Sequence, residues 1–121
     1  MNEFKLIVAG GRDFNDYDLL SRVLFAMADV DYADHAISIV SGMARGADRL
    51  AVNFAREYDV KLYPFQPDWN QYGKRAGFLR NEDMGRFADG LLAFWDGQSR
   101  GTKHMIQYMQ AQGKPVHIHQ Y

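Results

Sequence analysis

At 121 residues, 47% of them hydrophobic, the chain is sized for one domain with a substantial core, expected to span residues 1–121. The 14 Lys and Arg against 15 Asp and Glu leave a formal charge of −1, which argues against a general nucleic-acid binder, because such a protein needs a basic surplus to displace counterions. No cysteine is present, so disulfides, thiol nucleophiles and thiolate zinc sites are excluded; with no signal-like start and no long apolar run, a cytoplasmic protein without a membrane partner is expected.

Phe4 to Ala9 is a short β-branched run closed by Gly10-Gly11, which predicts a buried strand ending in a tight turn. Leu19, Leu20, Val23, Leu24 and Met27 then recur at helical spacing, with Asn15 or Asp16 placed to cap. Ala36 to Val40 predicts a second strand, closed by Ser41-Gly42. Ala47, Leu50, Ala51, Phe54, Ala55 and Tyr58 make the stripe of a second helix. Val60 to Phe65 predicts a third strand, with Pro64 marking its end or a sheet edge. Gln66 to Arg75, carrying Trp69 and Tyr72, reads as a long loop before a helix over Ala76 to Phe87, and loops of that length in a small domain tend to be functional. Gly90 to Trp95 is the fourth strand, Gly101 to Gln112 the last helix and Val116 to His119 the last strand.

This β-α-β alternation predicts an α/β fold: a three-layer domain with a parallel five-stranded sheet in the order 3-2-1-4-5 and helices on both faces. Ligands in such sheets bind outside the carboxyl ends of the strands, where the order reverses, here between the first and fourth strands.

Three polar, glycine-bearing turns leave strands on that edge. They contain Gly10, Gly11, Arg12 and Asp13; Ser41, Gly42, Arg45, Gly46 and Asp48; and Asp96, Gly97, Ser99, Gly101 and Thr102. Glycine lets backbone amides approach an anion, and the helix starting near Gly101 directs its free amides and positive dipole end there. Ser41, Ser99 and Thr102 offer hydroxyls, while Arg12, Arg45, Arg80 and Arg100 offer forks that match phosphate. Each turn alone is ordinary for the fold; their convergence is the signal. Asp48 suits a dipole-stabilising acid as well as a ligand contact, and Asp13 suits a cap. Met27, Met84, Met105 and Met109 read as core filling. His117 and His119 share a strand face without a third ligand, so no metal is assigned. Neither GxxxxGK[ST] nor GxGxxG occurs, which argues against a Walker-type ATPase and a nicotinamide dehydrogenase.

The segments GGRDF (10–14), SGMARGADRLA (41–51), AGFLRNEDM (76–84) and FWDGQSRGTKHMI (94–106) together resemble the YspA-like, cpYpsA-related branch of the SLOG superfamily. These are small Rossmann-like proteins of bacteria and phages, classed as a domain of unknown function. Relatives include cytokinin-activating phosphoribohydrolases and the DNA-processing protein DprA. The resemblance implies binding or sensing of a nucleotide or nucleotide-derived signal, with the nucleotide as ligand and no separate cofactor.

By that resemblance Gly101-Thr102 matches the glycine-threonine of the phosphoribohydrolase PGGxGTxxE motif, which grips a nucleotide phosphate. Arg80-Asn81 falls where those enzymes carry an arginine-lysine pair, which makes Arg80 the matching catalytic or ligand-orienting arginine. The motif's proline-glycine lead is Asp96-Gly97 here, and its glutamate position is Met105. An N-glycosidic hydrolase or transferase would therefore need another carboxylate, with Asp96, Asp13 or Asp48 as candidates. Three readings follow: a binding or sensing module, that enzyme with Asp96 or Asp48 beside Arg80, and DprA-like single-stranded DNA binding, which the charge balance favours least. In the first, Ser99, Gly101 and Thr102 hold phosphate, Gly11, Arg12 and Ser41 lie near ribose or base, Arg80 pairs with negative charge, and Trp69 and Tyr72 lie against the base, with core packing the alternative for Trp69. Phe78, Met84 and Phe87 offer a face for a homodimer.

Overall fold

In chain order the computed structural model, which describes residues 2–121, runs β1 (Asn2–Gly10), α1 (Tyr17–Ala26), β2 (His35–Ser41), α2 (Ala47–Glu57) and β3 (Leu62–Pro64). It continues through α3 (Trp69–Tyr72), α4 (Ala76–Phe87), β4 (Gly90–Trp95), α5 (Arg100–Ala111) and β5 (Val116–Gln120). The five strands form one parallel sheet in the order β3-β2-β1-β4-β5, as the alternation predicts.

The side-chain period of two divides the core between the faces of the sheet. Leu6 and Val8 of β1 and Leu92 and Phe94 of β4 pack under α1 and α2 with Leu20, Leu24, Ala51 and Phe54. Ile7 and Ala9, with Leu91 and Ala93, pack under α4 and α5 with Met84, Met105 and Met109. Strands buried on both faces need apolar residues at every position, which is why β1 and β4 read as unbroken apolar runs. Each fully buried aliphatic side chain stabilises the fold by about 1.5–3 kcal/mol relative to exposure.

The boundaries differ from the sequence expectation at particular places. Asp16 is the α1 cap, its carboxylate accepting from the Leu19 amide at 3.0 Å. The helix then widens into a π-helical turn, Met27–Asp31, closed by the Tyr32 amide on the Met27 carbonyl at 2.8 Å. β3 pairs only over Leu62–Pro64, because the Val60 amide is spent on the Ala55 carbonyl at 2.8 Å. The stretch read as a loop holds α3, capped by Asp68 on the Gln71 amide at 3.1 Å, and a 3-10 turn over Gly73–Arg75. Trp69 on α3 is 52% exposed, so the core alternative for it is wrong.

The four methionines read as core filling are buried. That same burial corrects the dimer face: Met84 and Phe87 pack inward against the sheet, Phe87 meeting Tyr63 and Phe65, and Phe78 alone of the three is exposed. No helix among the described residues is long and apolar enough to cross a membrane.

Candidate functional site

The order reverses between β1 and β4, and there the turns meet. The Gly11 amide donates to the Phe94 carbonyl at 3.1 Å, and the Ala47 amide donates to the Gly11 carbonyl at 3.3 Å. The loop after β1 is thus fixed to the end of β4 and to the start of α2. Gly46 makes this approach possible: its φ is +78°, and a Cβ there would lie 2.7 Å from the Arg12 backbone. In the same loop Met43 adopts φ 63°, a conformation that costs a non-glycine residue about 1–3 kcal/mol and persists where surrounding contacts impose it. Ser41 imposes part of it: its hydroxyl accepts from the Met43 amide at 3.1 Å and donates to the Asp48 carbonyl at 3.2 Å.

A cleft of about 90 Å³ opens at this point, lined on one side by Ser99, Gly101 and Thr102 of the α5 start and on the other by Gly10, Arg12 and Asp48. Arg80 and Asn81 of α4 close it, over walls made by Met84 and Met105. Two further clefts adjoin it, sharing Arg12 and Arg80. One, of about 260 Å³, lies along Gly42 to Arg45 and Gln66 to Trp69. The other, of about 190 Å³, lies between Trp69, Lys74 and Phe78. A larger cavity of about 350 Å³ on the α1 and α2 face is lined by Leu24, Phe25, Phe54 and Tyr58 among others, and holds no charged group.

Charge is arranged asymmetrically in the small cleft. α5 has no side-chain cap and no acidic residue in its first turn, unlike α1 and α3, whose first amides are satisfied by Asp16 and Asp68. Its free amides and positive dipole end are therefore open to an anion. Arg80 lies opposite, half-buried; burial pulls its pKa down, opposed by the nearby Asp48 charge. Its guanidinium donates to the Gly42 carbonyl and, through Nε, to Asn81 Oδ1 at 3.1 Å. Asn81 is itself 5% exposed and spends its amide donors on the Gly101 carbonyl at 3.1 Å and on His104 Nδ1 at 3.3 Å. These bonds hold Arg80 and the α5 start in register, and Asn81 also lines the cleft.

Asp48 is the buried acid of the site. It is 5% exposed, and burial pushes its carboxyl up to about 6, opposed by Arg80, the Ala44 and Asp48 amides and Arg12. A carboxyl so placed is mostly ionised at neutral pH yet takes up a proton more readily than an ordinary aspartate, which suits an acid or a base. Asp96, the other carboxylate weighed for catalysis, is exposed outside the cleft: it accepts from the Ser99 and Gln98 amides, each at 2.8 Å, which hold its pKa below the usual range. It shapes the turn that presents α5.

The remaining residues divide cleanly. Gly42 and Arg45 line the second cleft. Gly11, Ser41 and Gly46 build the loops beneath, and Gly97 turns the chain with φ +85°. Asp13 accepts from the Tyr121 hydroxyl at 2.6 Å, and Arg100 is solvent-exposed. Sequence reasoning missed Lys74, whose place beside Trp69 and Arg80 depends on α3 folding back. Among the described residues no cluster of potential metal ligands occurs.

A solved structure, DNA processing protein A (DprA) from Streptococcus pneumoniae, shares this fold with a TM-score of 0.75 at 17% identity over 97% of the chain. The chain spans 50% of that DprA chain, so the likeness is one of fold. In sequence the chain is 36% identical over 119 residues to the Gene 61 protein of Mycobacterium phage D29, covering 93% of each. The profile of the YspA, cpYpsA-related SLOG family matches residues 4–72, from β1 through α3. With that profile matched over more than half of its length, the chain belongs to the YspA, cpYpsA-related SLOG family.

Proposed function

We propose that the cleft between β1 and β4 binds a nucleotide or nucleotide-derived small molecule, with its phosphate at the start of α5. The observation that carries this reading is the uncapped, acid-free N-terminus of α5 facing the same cleft as Arg12 and Arg80. Backbone amides and guanidinium forks together suit a phosphate. Exposed Trp69, which borders both adjoining clefts, offers a face on which a base stacks.

The test is a thermal-shift and mass-spectrometric screen against nucleoside mono-, di- and triphosphates, cyclic nucleotides and ADP-ribose. A ligand at a hundred times its Kd stabilises by about 2.7 kcal/mol, a shift of several degrees in a domain of this size. A shift with unchanged ligand mass supports binding or sensing. No shift with any of them overturns the reading.

One observation favours an enzyme as the second reading. Asp48, buried beside Arg80 with its pKa raised to about 6, is suited to proton transfer at an N-glycosidic bond, whereas Met105 in the cleft wall supplies no carboxylate. Release of a free base or a ribose phosphate in the same screen identifies that chemistry. Single-stranded DNA enters the screen as a competitor, recognised by binding that weakens steeply with salt.

A further inference from the structure

We propose that Asp48 reads the sugar of that ligand: its carboxylate accepts the hydroxyls of a cis-diol, so the site selects ribose phosphates over 2-deoxyribose phosphates. This rests on the phosphate reading above, and it holds whether or not a bond is cleaved.

The case begins with what Asp48 lacks. Asp48 lines the small cleft, and its carboxylate accepts from the Ala44 amide at 3.3 Å through Oδ2 and from its own amide. Among the described residues no side chain hydrogen-bonds to it, and neither Arg12 nor Arg80 forms an ion pair with it. Gly42 sits between the two charges: a Cβ there would lie 2.7 Å from Arg80 Nη1 and 2.9 Å from Asp48 Oδ2. Arg80 is meanwhile committed to the Gly42 carbonyl and Asn81. An ionised carboxylate has about four acceptor positions, so two amides leave part of its capacity open in a residue that lines the cleft. A ligand hydroxyl that donates to an open position adds a hydrogen bond to a charged acceptor.

The ionised carboxylate repels phosphate, so phosphate is not its partner. The partner is a neutral donor, on a sugar or on a base. Position decides between them. The cleft holding Asp48 is the one that also holds Ser99, Gly101 and Thr102, whereas Trp69 borders only the two neighbouring clefts. In a nucleoside 5′-phosphate the sugar lies between phosphate and base, so a phosphate on α5 and a base on Trp69 leave the sugar at Asp48. A carboxylate meeting a cis-diol accepts from both hydroxyls, and loss of one leaves an acceptor position open.

The experiment titrates the full chain with inorganic phosphate, ribose 5-phosphate and 2-deoxyribose 5-phosphate by ligand-detected NMR, then repeats it with nucleoside monophosphates and their 2′-deoxy counterparts. The expected result is binding of ribose 5-phosphate at least about tenfold tighter than its deoxy analogue, the scale of one hydrogen bond to a charged group. Inorganic phosphate competes with both. Asp48→Ala brings the two sugars to within about twofold while phosphate still binds; if that variant does not fold, Asp48→Asn carries the comparison and narrows the difference. Equal binding of the two sugars by the wild-type chain overturns the proposal, as does discrimination that survives intact in a folded Asp48 variant. Failure of phosphate and of every sugar phosphate to bind overturns the phosphate reading itself, a result distinct from equal binding.

Discussion

The Arg80 guanidinium donates to the carbonyl oxygen of Gly42, so α4 reaches across the cleft and holds the loop that follows β2. Through Nε the same side chain meets Asn81, which in turn holds the Gly101 carbonyl at the start of α5. One arginine thereby links the two loops that face each other over the site, and its remaining donors are left for an anion. A fork with five donors can do this; an ammonium on a flexible stem cannot serve all three directions at once.

Arg80→Lys is accordingly expected to fold and to bind poorly. The positive charge is kept, but the Gly42 and Asn81 contacts compete with the ligand for one ammonium group. The expected loss is on the order of 10-fold to 100-fold in affinity for a phosphorylated ligand, corresponding to one charge-assisted hydrogen bond of about 1.5–3 kcal/mol. Isothermal titration of wild type and variant with whichever nucleotide the screen selects reads this directly. An unchanged Kd would remove Arg80 from the site.

Arg80 and Asp48 also show how far sequence carries. Strand order and the meeting of the three turns follow from apolar periodicity and crossover rules, because burial on both faces leaves an unmistakable pattern in β1 and β4. The pattern does not say which polar side chains in a turn face the ligand and which face their own backbone. Asp96 and Asp48 are equivalent as letters near a helix start, yet one is spent on the Ser99 and Gln98 amides in solvent and the other is buried in the cleft. Trp69 stays open between stacking and core packing in the sequence for a different reason. Its four-residue helix has too few positions for a period, and its exposure depends on how α3 meets Gly77 of α4.

Gly46→Ala tests the loop scaffold separately from the ligand contacts. Residue 46 has φ +78°, and an added methyl group would press on the Gly11 and Arg12 backbone, neither of which is the far end of a flexible side chain. Strain and displacement together predict a loss of about 2–4 kcal/mol of stability and a separation of the loops after β1 and β2. Urea unfolding measures the first, and weakened phosphate binding in the surviving folded fraction reports the second. A variant as stable as wild type would show that the loops part without cost.

Asp48 ties the stability of the fold to pH in a direction opposite to that of most carboxylates. Its pKa rises from the ordinary 3.8 to about 6 in the folded chain, chiefly through burial. Below about pH 4 the group is protonated in both states and contributes no difference. Between about 4 and 6 the unfolded chain releases this proton while the folded chain keeps it, so stability falls as pH rises, reaching a plateau above the folded pKa. The full difference is about 3 kcal/mol at neutral pH. Asp48→Asn removes the charge at nearly constant shape, so it is expected to be more stable than wild type at pH 7.5 by up to that amount and no more stable at pH 4. Urea midpoints measured at both pH values check the sign. A variant less stable than wild type at pH 7.5 would mean that Arg80 and Arg12 repay the burial of the charge in full, and the ionised acid would then be a structural partner of the arginines. If instead the variant gains stability and loses its preference for ribose, the cost of burying Asp48 is retained for recognition.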